Sequence, residues 1–381
     1  MVEKPTQIFN RNEIPRAVDR IPEKSATLEF KPEAELLEVD DSPEIKEIDV
    51  AKHLSNLPDN QFLIYSPTAL HNLGLEDRMF ASCGRSDHDT SIAFAELKKI
   101  DIPKNCEEIT VFGAGRAIDI AKYLAYMHGK KLNIIPSLLS TNSMGTPFGC
   151  YENLSEDRTK TTLHTGYADK ILVDFDYLAT LESGRLYGLA DVLSITTALH
   201  DWDMAIAQDP SVQNEPIYQN ARKIATSCFQ QIEAGALDNR TIFNLIVNSA
   251  YITGLAGSGR PESGSEHIFS KFMELEALRK NDPMMHGVSV GLGIALMATL
   301  QNNKDRQHLF AAIRHLGLVS KYKGREEELA KLAAYVLTQL DPHPVRYSIV
   351  NARLNDLENT SFSTDLAYTV VRALLRPKDH E

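Results

Sequence analysis

The stretch EEITVFGAGRAIDIAKYLAYMHG, residues 107–129, decides the fold. Its first half is a short apolar run, Ile109 to Phe112, that ends in Gly113-Ala114-Gly115. Its second half places apolar residues at Ile118, Ala121, Leu124 and Ala125, the spacing of one helix face, and stops at Gly129. A strand that runs through glycines into a helix brings free backbone N–H groups and the positive helix end to one place. A diphosphate needs both, and glycine lets the backbone approach it closely. The full G-x-G-x-x-G is absent, because Ala117-Ile118 stand where the third glycine would be. Taken alone, the turn reads equally well as an ordinary strand-to-helix connection.

The flanks extend the pattern. FLIY (residues 62–65) reads as a buried strand closed by Ser66-Pro67, and KLNIIPS (131–137) and KILVDFDYL (170–178) read as two more. Strands alternating with helices predict a parallel sheet covered on both faces. Past about residue 180 strand-like runs stop. Helical patterns follow at 189–207, 216–235, 240–256, 267–278, 288–301, 326–340 and 363–375. The expected architecture is an α/β N-terminal dinucleotide-binding domain (residues 56–180) followed by an all-α C-terminal domain (181–381) that carries metal and substrate. Residues 1–55 contain five prolines, and residues 28–50 hold nine acidic side chains against two lysines. Such a segment buries little apolar surface and is expected to be a solvated arm.

Composition narrows the function classes. Forty Lys and Arg against 52 Asp and Glu give a net charge of -12, the wrong balance for gripping a phosphate backbone, so no nucleic-acid partner is expected. The N-terminus has no apolar signal-like core, and the longest apolar run, residues 288–300, is too short to span a bilayer. Cys83, Cys106, Cys150 and Cys228 form no C-x-x-C, so neither a zinc ribbon nor a disulfide framework is indicated. The expectation is a soluble cytoplasmic protein without a membrane span.

Three segments each offer one metal ligand: GLADVLS presents Asp191, SGRPESGSEHIFSKF presents His267, and MMHGVSVGLGIALMA presents His286. One carboxylate and two imidazoles suit a catalytic divalent cation with an open position. Asp191 sits in an otherwise apolar stretch, where an unpaired carboxylate is costly and a cation would offset the cost. Each residue alone also fits a hydrogen-bonded core or cap role. His71, His88, His164, His200 and His343 read as surface residues. No G-x-S-x-G or Ser/His/Asp arrangement appears.

The motifs in order, GAGRAIDIAKYLA, PSLLSTNSMG, GRLYGLADVLSITTALHDW, GSGRPESGSEHIFS, HGVSVGLGIALMA and VRYSIV, resemble the superfamily of dehydroquinate synthase, glycerol dehydrogenase and the iron-containing alcohol dehydrogenases. Within it the sn-glycerol-1-phosphate dehydrogenase branch is most similar, over about residues 60–352. The resemblance implies a dehydroquinate synthase-like fold with the active site between two domains. It implies NAD or NADP over Gly113, Ala114 and Gly115, with Asp119 and Lys122 ordering the turn and Ser137, Ser140 and Thr141 lining the cofactor. It implies Asp191, His267 and His286 as ligands of one divalent metal, zinc being the usual ion and iron or nickel occurring in some branches. Catalysis would rest on those three and Lys271, with a small-molecule substrate, anionic in some members, and a homo-oligomeric assembly.

Three positions depart from the family pattern. Asn142 stands where an Asp is usual, Lys271 where a second His often follows the ligand His by one turn, and Gly-Ala-Gly replaces Gly-Gly-Gly. Asn142, Arg260 and Lys271 are the expected substrate contacts; Arg260 could instead pair with Glu262 or Glu266. The leading function is a metal-dependent NAD(P)-linked dehydrogenase or reductase of a small polyol, polyol phosphate or hydroxy-ketone. The alternatives are a sugar-phosphate cyclase that uses NAD transiently and a non-catalytic nucleotide-binding descendant.

Overall fold

The computed structural model describes residues 36, 37, 39–75, 84–87, 97, 99–152, 160–181, 184, 186–341 and 346–375. Residues 1–35 of the expected arm, and His88 and His343, lie outside the described residues. Six strands form a parallel sheet: β1 (Glu44–Glu47), β2 (Gln61–Tyr65), β3 (Gly84–Asp87), β4 (Glu108–Gly113), β5 (Lys131–Pro136) and β8 (Lys170–Val173), in the order β1-β8-β5-β4-β2-β3. Central β4 is buried along nearly its whole length, as a strand covered on both faces must be. Two further strands, β6 (Phe148–Glu152) and β7 (Lys160–His164), pair antiparallel.

α1 (Val50–Ser55), α2 (Pro67–Asn72) and α3 (Gly115–His128) accompany the sheet, and Gly129 ends α3 in the left-handed conformation at φ 60°. Adjacent β2 and β4 send their connections to opposite sides, β2 toward β3 and β4 toward β5. That is the topological switch point at which open α/β sheets hold ligands, beyond the carboxyl ends of the strands. Ser66 and Gly113 face each other across it: Ser66 N–H donates to the Phe112 carbonyl at 2.9 Å.

Two local readings need correction. Glu44–Glu47 and Val50–Ser55 lie in a stretch whose composition suggests a solvated arm, yet they are the edge strand of the sheet and a packed helix. An edge strand tolerates charge, and β1 exposes most of its side chains. The run KILVDFDYL is a strand only to Val173. Asp174 then caps α4 (Phe175–Ala179) by accepting from Tyr177 N–H at 2.8 Å. Its other oxygen accepts from Val50 N–H at 2.8 Å and so ties α1 to the sheet.

The remaining chain is helical: α5 (Leu189–Gln208), α6 (Glu215–Glu233), α7 (Asn239–Leu255), α8 (Ser265–Arg279), α9 (His286–Leu300), α10 (Arg306–His315), α11 (Glu326–Thr338), α12 (Ile349–Ala352), α13 (Leu354–Glu358) and α14 (Thr360–Leu375). α9 is apolar all round and buried from Gly287 to Ala298, as a core helix should be. It packs tightly on α8, since a Cβ at Gly293 would lie 2.7 Å from the Glu266 carbonyl oxygen. No helix of the described residues is long and apolar enough to cross a membrane. Cys150 and Cys228 are free, whereas Cys106 is disulfide-bonded, against the expectation of no disulfide. Cysteine spacing alone does not reveal pairing.

Candidate active site

The glycine turn is built as much by packing as for ligand approach. A Cβ on Gly113 would lie 2.5 Å from the Ala117 Cβ, so β4 can enter α3 only through glycine there. Gly115 differs: its imaginary Cβ meets only Thr141 at 3.5 Å, ordinary contact. The cap residue Ala114 gives no side-chain hydrogen bond to the first turn of α3. Ser137 N–H donates to the Gly113 carbonyl at 2.9 Å, and Thr141 Oγ1 lies 2.9 Å from Ser143 Oγ. The loop after β5, with Ser140 buried, therefore lies against the helix start. Asp119 is one turn further on, and its carbonyl accepts from Tyr151 Oη at 2.9 Å.

Lys122, expected to order the turn, reaches the loop that follows β5. It is buried, and its ammonium donates to the backbone carbonyls of Ser143, Thr146 and Phe148, the last two at 2.7 and 2.9 Å. Burial lowers its pKa to about 8, with Asp119 opposing the fall. All three ammonium hydrogens are used, so Lys122 anchors the loop from α3 instead of meeting a ligand.

The three expected ligands converge. Gly188 sits against the loop after β5: its N–H donates to the Leu139 carbonyl at 3.0 Å, and a Cβ there would lie 2.7 Å from that oxygen. α5 starts at the next residue and delivers Asp191 in its first turn. His267 stands in the first turn of α8, and His286 opens α9. One donor atom from each lies within 4.8 Å of the others. His267 Nε2 is 3.6 Å and His286 Nε2 is 3.2 Å from Asp191 Oδ1. Asp191 Oδ1 is nevertheless a buried oxygen without a hydrogen bond. The donor atoms are close without aiming at one another, as atoms aimed at a shared point would be. Metal–ligand bonds of about 2.0–2.1 Å at tetrahedral angles separate ligand atoms by roughly 3.3 Å. The residues therefore fit a divalent cation.

Surrounding groups fix the imidazoles. His267 Nδ1 lies 2.9 Å from Glu266 Oε1, and His286 Nδ1 lies 2.7 Å from Glu274 Oε1. Holding Nδ1–H on a carboxylate leaves the Nε2 lone pair for a cation and raises its basicity. Asp191 Oδ2 accepts from Asn142 N–H at 3.0 Å. The His286 side chain is 29% exposed against 2% for Asp191, so the cluster opens on the His286 side.

Electrostatics agrees. Burial works against charge on Asp191, yet the imidazoles, His286 foremost, hold its carboxyl well below the usual range. Burial likewise opposes protonation of both histidines. Asp191 and Glu266 nonetheless raise His267, and Asp191 and Glu274 raise His286 well above its ordinary value.

Three acidic residues stand beside the cluster: Glu274 went unread in the sequence, and Glu262 and Glu266 were read only as partners for Arg260. Glu262 and Glu266 are buried, at 3% and 0% exposure, and Glu274 is partly buried. Glu262 accepts from the Asn142 side-chain amide and from Thr253 Oγ1 at 2.8 Å. Burial, with Asp191 nearby, pushes its pKa up to about 8. Glu266 also accepts from Thr197 Oγ1 at 2.8 Å. Only the adjacency of Glu266 to His267 was a signal; Glu274 is twelve residues from His286 and on another helix. Lys271, one turn beyond His267, is half-buried, and the triad is hydrogen-bonded to Glu266, Glu274 and Asn142. Arg260 lines a separate small pocket with Asp201, Trp202, Arg346, Tyr347 and Ser348, whose wall includes none of the three ligands. Asp201, at the far end of α5 from Asp191, accepts from Ser265 N–H at 2.7 Å and Ile349 N–H at 2.9 Å, joining α8 and α12 to α5.

No family model matches the chain. A protein of Hyperthermus butylicus named glycerol-1-phosphate dehydrogenase [NAD(P)+] is 29% identical over 274 residues, covering 69% of this chain and 75% of that protein. One of the same name from Pyrobaculum islandicum is 28% identical over 279 residues, 70% of this chain and 80% of the relative. Among solved structures, glycerol dehydrogenase from Schizosaccharomyces pombe superposes with a TM-score of 0.57 at 17% identity, covering 88% of this chain and 91% of that one. A probable glycerol dehydrogenase from Sinorhizobium meliloti gives 0.57 at 15% identity, covering 87% and 97%. The resemblance carried by the ordered motifs is borne out: in sequence the chain is similar to the glycerol-1-phosphate dehydrogenases, and it has the fold of glycerol dehydrogenase and the iron-containing alcohol dehydrogenases.

Proposed function

We propose that the chain is a metal-dependent, NAD(P)-linked dehydrogenase or reductase of a small polyol, polyol phosphate or hydroxy-ketone. The observation that carries this reading is the convergence of Asp191, His267 and His286 around an Asp191 oxygen that has no hydrogen-bond partner. When bound, the divalent cation supplies Lewis-acid polarisation of the substrate oxygen, and the nicotinamide gives or takes the hydride.

The chain's own residues supply position. Asp191 and the two Nε2 atoms hold the cation, and Glu266 and Glu274 keep both imidazoles in the tautomer that binds it. The Gly113–Gly115 turn receives the dinucleotide phosphates, and Thr141 lies against Gly115 at its edge. Buried walls around Asp191 lower the local dielectric and strengthen every interaction there. Zinc is the ion this reading names, and the assembly is a homo-oligomer. The test loads purified protein with Zn2+, Fe2+ or Ni2+ and screens dihydroxyacetone phosphate, dihydroxyacetone and glycerol with NAD(H) and NADP(H) by nicotinamide absorbance. Turnover that disappears with a chelator and returns with metal supports the reading. Phosphate release without net nicotinamide change would replace it with the cyclase.

A further inference from the structure

From Gly287 to Ala298, α9 is apolar except at Ser289, which is buried. Packing does not call for a hydroxyl there, and a buried hydroxyl is costly unless it is hydrogen-bonded. Ser289 Oγ donates to the His286 carbonyl at 2.8 Å, as a serine inside a helix commonly does toward the preceding turn. It also reaches across to α8. It lies 2.8 Å from Glu274 Oε1 and 2.8 Å from the Oγ of Ser270, which is buried too. Ser270 Oγ lies 2.9 Å from the same glutamate oxygen. Two hydroxyls and His286 Nδ1, at 2.7 Å, therefore meet on one atom. A glutamate side chain has several rotatable bonds, and Glu274 must hold a histidine that stands on another helix. Ser270 is one turn before Glu274 on α8, and Ser289 is one turn after His286 on α9, so each helix lends a hydroxyl that pins Oε1 at their junction.

An imidazole that gives its Nε2 lone pair to a cation carries its hydrogen on Nδ1, and the ring direction follows the acceptor that Nδ1 meets. This matters most for His286. Its side chain is 29% exposed, against 12% for His267 and 2% for Asp191, so surrounding atoms fix its direction least. We propose that Ser270 and Ser289 are positioning residues of the cation site. They hold Glu274 Oε1 at the α8–α9 junction, and through it they aim His286 Nε2 toward the point shared with Asp191 and His267. The proposal rests on the cation-binding part of the reading above. It adds two residues that act through Glu274.

The test measures Zn2+ affinity by competition with a chromophoric chelator. The proteins are wild type, Ser270→Ala, Ser289→Ala and the double serine variant, each with Glu274 intact and with Glu274→Ala. Loss of one hydroxyl should weaken Zn2+ about three- to tenfold, and loss of both at least about tenfold. Glu274→Ala alone should cost about tenfold or more. In that background the serine changes should alter affinity less than about twofold, because the hydroxyls have no carboxylate left to hold. Serines that only pack α8 on α9 would cost the same in both backgrounds. A second readout is the visible absorption of the Co2+-loaded proteins, which follows the direction and strength of the ligands. The bands should shift when either serine is removed from the protein with Glu274, and should not shift further once Glu274 is alanine.

A double serine variant that holds Zn2+ within about twofold of wild type overturns the proposal. Equal losses with and without Glu274 overturn it too. Should Ser289→Ala fail to fold, Ser270→Ala is read in the two backgrounds by the same criteria. A wild type that binds none of Zn2+, Fe2+ and Ni2+ refutes the cation site, and the proposal falls with it. A wild type that binds Zn2+ but turns over no substrate removes the dehydrogenase reading alone, and the affinity cycle still decides the role of the serines.

Discussion

Glu274→Gln should weaken metal binding without disturbing the fold. Glu274 Oε1 accepts from His286 Nδ1 at 2.7 Å, Ser270 Oγ at 2.9 Å and Ser289 Oγ at 2.8 Å. Glutamine keeps the shape and an acceptor oxygen, so the three donors are not abandoned. The negative charge is lost. Hydrogen bonds to a charged partner contribute about 1.5–3 kcal/mol and neutral ones about 0.5–1.5 kcal/mol, a difference of about 1–1.5 kcal/mol for the bond to His286. That corresponds to about tenfold in affinity, the lower end of the 10–100-fold typical when a group supporting a ligand histidine is changed. Competition with a chromophoric chelator for Zn2+ measures it directly. Glu327→Gln, at an exposed pair with Lys331, serves as the control. A Glu274→Gln protein that holds Zn2+ within about threefold of wild type would refute the inference that Glu274 tunes His286.

Gly113→Ala and Gly115→Ala should separate packing from ligand approach. The first meets Ala117 at 2.5 Å and should lower the melting temperature; the second meets only ordinary contact and should instead weaken NAD(P) binding by tenfold or more, by titration of intrinsic fluorescence. Lys122→Met leaves the three buried carbonyls of Ser143, Thr146 and Phe148 short of a donor and should cost at least about 2 kcal/mol in urea unfolding. Stability should also depend on pH through the cluster. In metal-free protein, the raised values of His267 and His286 contribute stability fully present below about 6.5 and lost as pH rises through them. The depressed value of Asp191 contributes stability present above about 3.8 and lost as pH falls through it. A cation needs both imidazoles neutral, so the rise in melting temperature on adding Zn2+ should grow from about pH 6 to about pH 8. A rise independent of pH would contradict the histidine ligation.

What could be read from sequence was what is local. Strand-to-helix alternation and the glycine turn are properties of contiguous residues, and the sheet follows them. The three ligands could be picked out only because their motifs come in a recognisable order; spacings across separate helices carry no geometry by themselves. Everything that acts through space without a pattern stayed hidden. Glu262, in the turn before α8, and Glu274, on α8, look like solvated acids, and only the packed fold sets them against Asn142 and His286. Lys122 could be placed near the turn only through the resemblance, since nothing nearby announces the three carbonyls it meets. β1 was hidden for the opposite reason: an edge strand may be charged, so EIKE resembles the acidic segment before it.

The anchoring of the loop by Lys122 makes the two halves of the site one mechanical piece. The ammonium leaves α3 seven residues after Gly115 and grips carbonyls that begin at Ser143, while the neighbouring Asn142 N–H holds Asp191. Whatever settles the first turn of α3 therefore also settles the carboxylate of Asp191. Binding free energies coupled through such a link are reciprocal. A nucleotide that tightens the turn should raise affinity at Asp191, and a cation should raise affinity for the nucleotide by the same factor. The two binding events would then strengthen one another equally, through a lysine whose hydrogen bonds go to the loop carbonyls of Ser143, Thr146 and Phe148.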